Sequence, residues 1–84
     1  MDINIKTTFN IGDKVYIPML YGDWYADRMP YKITKINIEI SKDNDIKTRY
    51  IIMDEYGYTF TYTERLCFSN YEDCLQWCKT QNNK

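Results

Sequence analysis

The sequence predicts a mainly β fold, a small bent barrel of about five antiparallel strands with one C-terminal α-helix packed on it. Three observations carry this expectation. Apolar and polar residues alternate over short stretches set between turn residues. The 84 residues include 11 Ile and 9 Tyr against one Ala and one Val, and Ile and Tyr fit a pleated, half-buried surface. Helical spacing occurs only near the C-terminus. A chain this short has room for one domain, residues 1–84, and buries only about 60% of its surface on folding.

Ile3 and Ile5 alternate with polar residues ahead of the turn Gly12-Asp13. The first strand then has Val15 and Ile17 inward, Lys14 and Tyr16 outward, and Pro18 closing it. Met19 to Met29 has no clean period and contains Gly22, so it reads as a long aromatic-rich loop. Tyr31 and Ile33 resume the alternation, and Ile36, Ile38 and Ile40 continue it in the opposite phase. That phase change predicts a bulge near Thr34-Lys35, the device that bends a small barrel.

After the polar turn 41–45, a strand runs from Ile46 to Asp54, with Tyr50 and Ile52 on one face and Ile51 and Met53 on the other. Asp54-Glu55-Tyr56-Gly57 is a tight turn into Tyr58-Thr59-Phe60-Thr61-Tyr62, where aromatics take one face and threonines the other. Leu66 and Phe68 suggest a short last strand. Ser69 and Glu72 have capping-box spacing, and Tyr71, Cys74, Leu75 and Cys78 form one apolar stripe. A helix over about residues 70–80 follows from that stripe.

The segments Phe9-Asn10-Ile11-Gly12-Asp13-Lys14-Val15-Tyr16-Ile17-Pro18 and Tyr31-Lys32-Ile33-Thr34-Lys35-Ile36 resemble the opening of SH3-like barrels, including KOW-type modules. The ending Leu66-Cys67-Phe68-Ser69-Asn70-Tyr71-Glu72-Asp73 is similar to small phage and mobile-element proteins in which such a barrel precedes a capped helix. The resemblance implies a fold and supplies no catalytic residue, since fold does not fix function. The Ile, Lys, Asn and Tyr surplus is what A+T-rich codons produce, as in low-G+C bacteria and their phages.

Several functions are disfavoured. With 11 basic and 12 acidic residues the net charge is -1, against a general polyanion binder. No run approaches the roughly 18 apolar residues of a membrane span, and no basic-then-apolar leader opens the chain, so a cytoplasmic protein of a bacterial host cell is expected. The absence of histidine removes the usual general base and the commonest metal ligand. Cys67, Cys74 and Cys78 lack a C-x2-C pair or a fourth soft ligand, so they read as packing residues, with no metal or other cofactor expected. Nothing in the chain assembles a nucleophile with a base, which points away from an enzyme.

Charge is divided unevenly. It sums to -2 over residues 1–27, +3 over 28–49, -4 over 50–78 and +2 over the tail. The acidic, aromatic parts point to a protein partner, because Tyr and Trp are favoured interface anchors and acidic patches suit basic grooves. The candidate contact residues are Tyr21, Asp23, Trp24, Tyr25, Asp27, Asp54, Glu55, Asp73 and Trp77, with Trp77 expected to be exposed beside Asp73. The leading expectation is a non-enzymatic phage or mobile-element protein that inhibits a host defence nuclease, in the manner of an anti-CRISPR protein, by blocking nucleic-acid access. The alternative is nucleic-acid binding through Lys32, Lys35, Lys47 and Arg49, with Tyr31 and Tyr50 interleaved as stacking rings. A second alternative is a structural or assembly factor that forms a homodimer through an exposed barrel edge.

Overall fold

The computed structural model describes residues 7–84, so the Ile3/Ile5 alternation lies outside the described residues. In chain order it contains β1 (Lys14–Val15), β2 (Pro18–Tyr21), β3 (Asp23–Ala26), β4 (Tyr31–Ile40), β5 (Ile46–Met53), β6 (Thr59–Thr63), a 3-10 turn at Glu64–Leu66 and α1 (Tyr71–Asn82). The fold is mainly β, an antiparallel sheet curled into a half-barrel with one C-terminal helix, as the alternation predicts.

The main sheet has the order β1-β4-β5-β6, and β2 pairs with β3 in a separate two-stranded ribbon. The β4–β5 register slips between Ile33 and Lys35, so the phase change in the sequence is a bulge. Thr34 is the extra residue, and strand β4 bends there. Tyr31 and Ile33 lie before the bulge and Ile36 after it, yet all three face the concave side.

The concave side holds the core. Val15, Ile17, Ile33, Tyr50 and Ile52 are fully buried, joined by Phe9, Tyr31 and Cys67. A second cluster lies under the helix, where Ala26, Cys74 and Cys78 are buried among Tyr16, Trp24, Phe68, Tyr71, Leu75 and Trp77. The helical stripe thus packs as its spacing predicts. Tyr16, expected outward, is half-buried and meets Tyr71 edge-on at 6.2 Å, because the helix covers that side of β1.

Five local readings are corrected. Residues 19–26 are no loop but the β2–β3 hairpin, turning at Gly22 with φ of 74°. Its alternation is hidden because both faces carry large apolar residues, Leu20 and Trp24 on one, Met19, Tyr21 and Tyr25 on the other. Pro18 opens β2 rather than closing β1, a tolerated place for a residue that lacks an N–H.

Leu66 ends a 3-10 turn. Phe68 reaches Tyr16, the residue after β1, through a single antiparallel bridge, exchanging two backbone hydrogen bonds of 2.8 and 2.9 Å with it. The helix is capped by Asn70, not Ser69: its side chain accepts from the Asp73 N–H at 2.8 Å and donates to the Asp73 carboxylate at 3.1 Å. Asn is as good a cap as Ser, and the Asn70-x-x-Asp73 spacing matches as well as Ser69-x-x-Glu72. The helix runs two residues beyond the expected end, to Asn82, because Asn82 is tied to the hairpin.

Candidate functional site

The β2–β3 hairpin is held from one side by the helix. Trp24 meets Trp77 edge-on, with ring centroids 5.0 Å apart, and Trp77 also leans on Phe68 at 6.3 Å. Trp77 is therefore half-buried; the expectation of an exposed tryptophan fails because the hairpin that covers it reads as a loop in the sequence. At the helix C-terminus the Asn82 side chain clamps one residue of β3. Its amide oxygen accepts from the Trp24 N–H and its amide nitrogen donates to the Trp24 carbonyl, both at 2.8 Å. No sequence pattern marks Asn82 for this job.

The tip of this braced hairpin is apolar and uncovered. Tyr21 is 88% exposed and Leu20 62%. Asp23 is directly across from Tyr21 and exposed. Tyr25 stands on the same face, 47% exposed, with its hydroxyl donating to the Met19 sulfur at 3.3 Å. The structure thus brings together Tyr21, Asp23, Trp24, Tyr25 and Trp77 of the candidate set.

The remaining candidates lie elsewhere, held in local structure. Asp27 accepts from the Tyr31 hydroxyl at 2.6 Å and from the Met29 N–H at 3.0 Å. Burial and that hydrogen bond push the Tyr31 phenol well above its ordinary range. Asp54 accepts from the N–H groups of Tyr56 and Tyr58, both at 2.9 Å, which shapes the β5–β6 turn and leaves Glu55 exposed beside it. Asp73 completes the helix cap, at the opposite end of α1 from the Asn82 clamp.

Lys32, Lys35, Lys47 and Arg49 share the convex face of the sheet, together with Lys14, which is directly opposite Lys32. Glu39 is their one acidic neighbour on these strands, and its pairing with Arg49 at 3.2 Å is a surface contact of little energetic weight. Tyr31 and Tyr50 are not on this face. They are buried on the concave side at 4% and 0% exposure, so they offer no stacking surface; strand register, not proximity in sequence, decides the face.

A polar network that the sequence does not reveal runs under the barrel. The Tyr50 hydroxyl donates to Glu64 and accepts from the Phe9 N–H, while Glu64 also accepts from the Thr8 N–H at 3.0 Å. Burial, reinforced by Glu64, pushes the Tyr50 phenol up to about 12. The three cysteines are free and buried. Burial pushes the Cys67 and Cys74 thiols up to about 12, which keeps both protonated and poorly nucleophilic at neutral pH. Among the described residues no three His, Cys, Asp or Glu side chains are grouped to hold a metal ion, and no helix is long and apolar enough to cross a membrane.

Fold and surface together define a small curled β protein that displays a braced apolar hairpin on one side and a cationic sheet face on another. Compared with known proteins, the chain has no significant match to a family model, a curated protein or a solved structure.

Proposed function

We propose that this is a non-enzymatic binding protein that docks on a protein partner through the tip of the β2–β3 hairpin. The observation that carries the reading is Tyr21 at 88% and Leu20 at 62% exposure on a hairpin clamped by Asn82 and wedged by Trp77. Scattered exposed apolar residues are ordinary on any surface. These two are consecutive in sequence and project from the two faces of one rigid tip, which is preorganised, so little ordering entropy is lost when a partner groove encloses it. Of the two, Tyr21 is of the type that dominates interface energies.

Asp23 beside Tyr21 fits a partner groove that carries basic residues. A host nuclease whose channel accepts nucleic acid has such a groove, and an inhibitor of the anti-CRISPR type would occupy it. The SH3-like and phage resemblance in the sequence is compatible with this role. The test is affinity capture from nuclease-treated host lysate with the wild type and with a Leu20→Ser/Tyr21→Ser variant. A protein retained by the wild type and released by the variant supports the reading; a protein retained equally by both refutes it.

One observation favours nucleic acid as a second reading: Lys14, Lys32, Lys35, Lys47 and Arg49 share one face, and like charges directly opposite, as at Lys14 and Lys32, are destabilising in a sheet. Gel-shift titration distinguishes the two. Binding through phosphates weakens steeply with salt and is lost on Lys32→Glu/Lys35→Glu, whereas the hairpin variant leaves it unchanged.

A further inference from the structure

Strand β4 has two edges, and only one is fully used. Along its inner edge β5 pairs with it from Lys32 to Ile40. Along its outer edge β1 pairs with Tyr31 and Lys32 alone, and Ile33 exchanges backbone hydrogen bonds of 2.8 and 2.9 Å with Gly12 and Asp13. Beyond the bulge, Lys35 to Ile40 has no strand partner on that side among the described residues. Natural sheets protect such edges with prolines, bulges or charged side chains; this stretch has no proline or bulge within it, and its two charges, Lys35 and Glu39, are of opposite sign.

The direction of the free backbone groups follows from the ladder. In an antiparallel pair, residues alternate between those bonded to the neighbour and those pointing away. The Ser41 N–H donates to the Asp45 carbonyl across the β4–β5 turn at 2.9 Å, so Ser41 points inward. Ile40, Ile38 and Ile36 therefore aim their N–H and C=O groups at the open edge. Their side chains stay on the concave face, where Ile38 is 39% and Ile40 42% exposed past the end of the core.

We infer that this edge pairs with the same edge of a second copy, antiparallel and two-fold symmetric, centred on Asn37. The register is chosen by charge. With Asn37 opposite its own copy, Lys35 lies across from Glu39 of the second chain and Glu39 across from its Lys35. Ile36 and Ile38 become mutual hydrogen-bonded partners whose side chains share the concave face. Moving the centre to Ile38 keeps the backbone bonds but sets Glu39 against Asn37 and Lys35 against Ser41, losing both charge pairs. The edge is complementary to itself, because opposite charges across neighbouring strands stabilise a pairing while like charges oppose it. The five residues of edge that pair, Lys35 to Glu39, form a small interface, so the dimer is concentration-dependent.

The test is sedimentation equilibrium of the full chain at rising concentration for the wild type, Glu39→Lys, Lys35→Glu and the double exchange Lys35→Glu/Glu39→Lys. Both substituted side chains, Lys35 and Glu39, are exposed, and thermal melting checks that each variant folds. The wild type is expected to pass from monomer to dimer. Each single reversal turns both symmetric attractions into repulsions and weakens the dimer by about tenfold or more, and the double exchange restores it. Hydrogen exchange adds a second readout, with the Ile36 and Ile38 amides gaining protection as the dimer forms. A wild type that stays monomeric overturns the proposal, as does a dimer indifferent to the single reversals.

Discussion

Replacing Asn82 with Ala removes both arms of the clamp that joins the helix end to the hairpin. The two hydrogen bonds lost are each 2.8 Å long, and a neutral hydrogen bond contributes about 0.5–1.5 kcal/mol net. Both sites are solvent-accessible, so water can replace the lost partner, and the low end of that range, about 0.5–0.75 kcal/mol for each bond, applies. The expected loss is about 1–1.5 kcal/mol in total, which for a domain of this size lowers Tm by roughly 4–10 °C. The local effect is more specific. Amides of β2 and β3 should exchange about 5- to 10-fold faster, while those of Ile33 and Ile52 in the main core change only with global stability. Thermal melting and native-state hydrogen exchange read both effects. Unchanged Tm together with unchanged exchange in the hairpin would refute the idea that Asn82 braces it.

Other predictions concern the interior. Tyr50→Phe leaves the Phe9 N–H without its acceptor and Glu64 with the Thr8 N–H as its remaining donor, which should cost about 1–3 kcal/mol in denaturant unfolding; a loss below about 0.5 kcal/mol would remove the network from the account. Stability should be flat through neutral pH and fall from about pH 9 to 12. The Cys67 and Cys74 thiols are raised from 9.0 and the Tyr50 phenol from 10.0, all to about 12. These groups stay protonated in the folded chain after the unfolded chain has released its protons, so their stabilisation is complete below the lower value and gone above the higher. Each steepens the fall by up to about 1.4 kcal/mol per pH unit, and urea unfolding at stepped pH measures it. The same burial predicts that the cysteines resist alkylation at pH 8 until the protein unfolds; rapid native-state labelling of Cys74 would contradict its placement.

What the sequence made legible was whatever period and spacing encode. The Ile33/Ile36 phase change located the bulge, the Phe60/Thr61 alternation located β6, and the Tyr71–Cys78 stripe located the buried face of the helix. The hairpin at 18–26 escaped because alternation is informative only when one face is polar, and here Leu20 and Trp24 face the helix side while Met19 and Tyr25 face the other. With the hairpin unread, Trp77 had no visible packing partner and the Asn82 clamp had nothing to hold. The Tyr50–Glu64 contact spans 14 residues and depends on how the chain turns after β6, which no local pattern records. The contact set was legible as residue types, but its geometry was not. Asp27, Asp54 and Asp73 look alike in sequence to Asp23, and only hydrogen-bond partners separate carboxylates that shape a turn or cap from one that faces outward.

The central claim is that the hairpin tip is the docking element. Its most direct measurement is the affinity of the captured partner protein for the wild type and for Leu20→Ser/Tyr21→Ser, once melting shows that the two are equally stable. Removing two anchors should weaken binding by about 30-fold or more, the equivalent of about 2 kcal/mol. An affinity within about threefold of the wild type would contradict the claim.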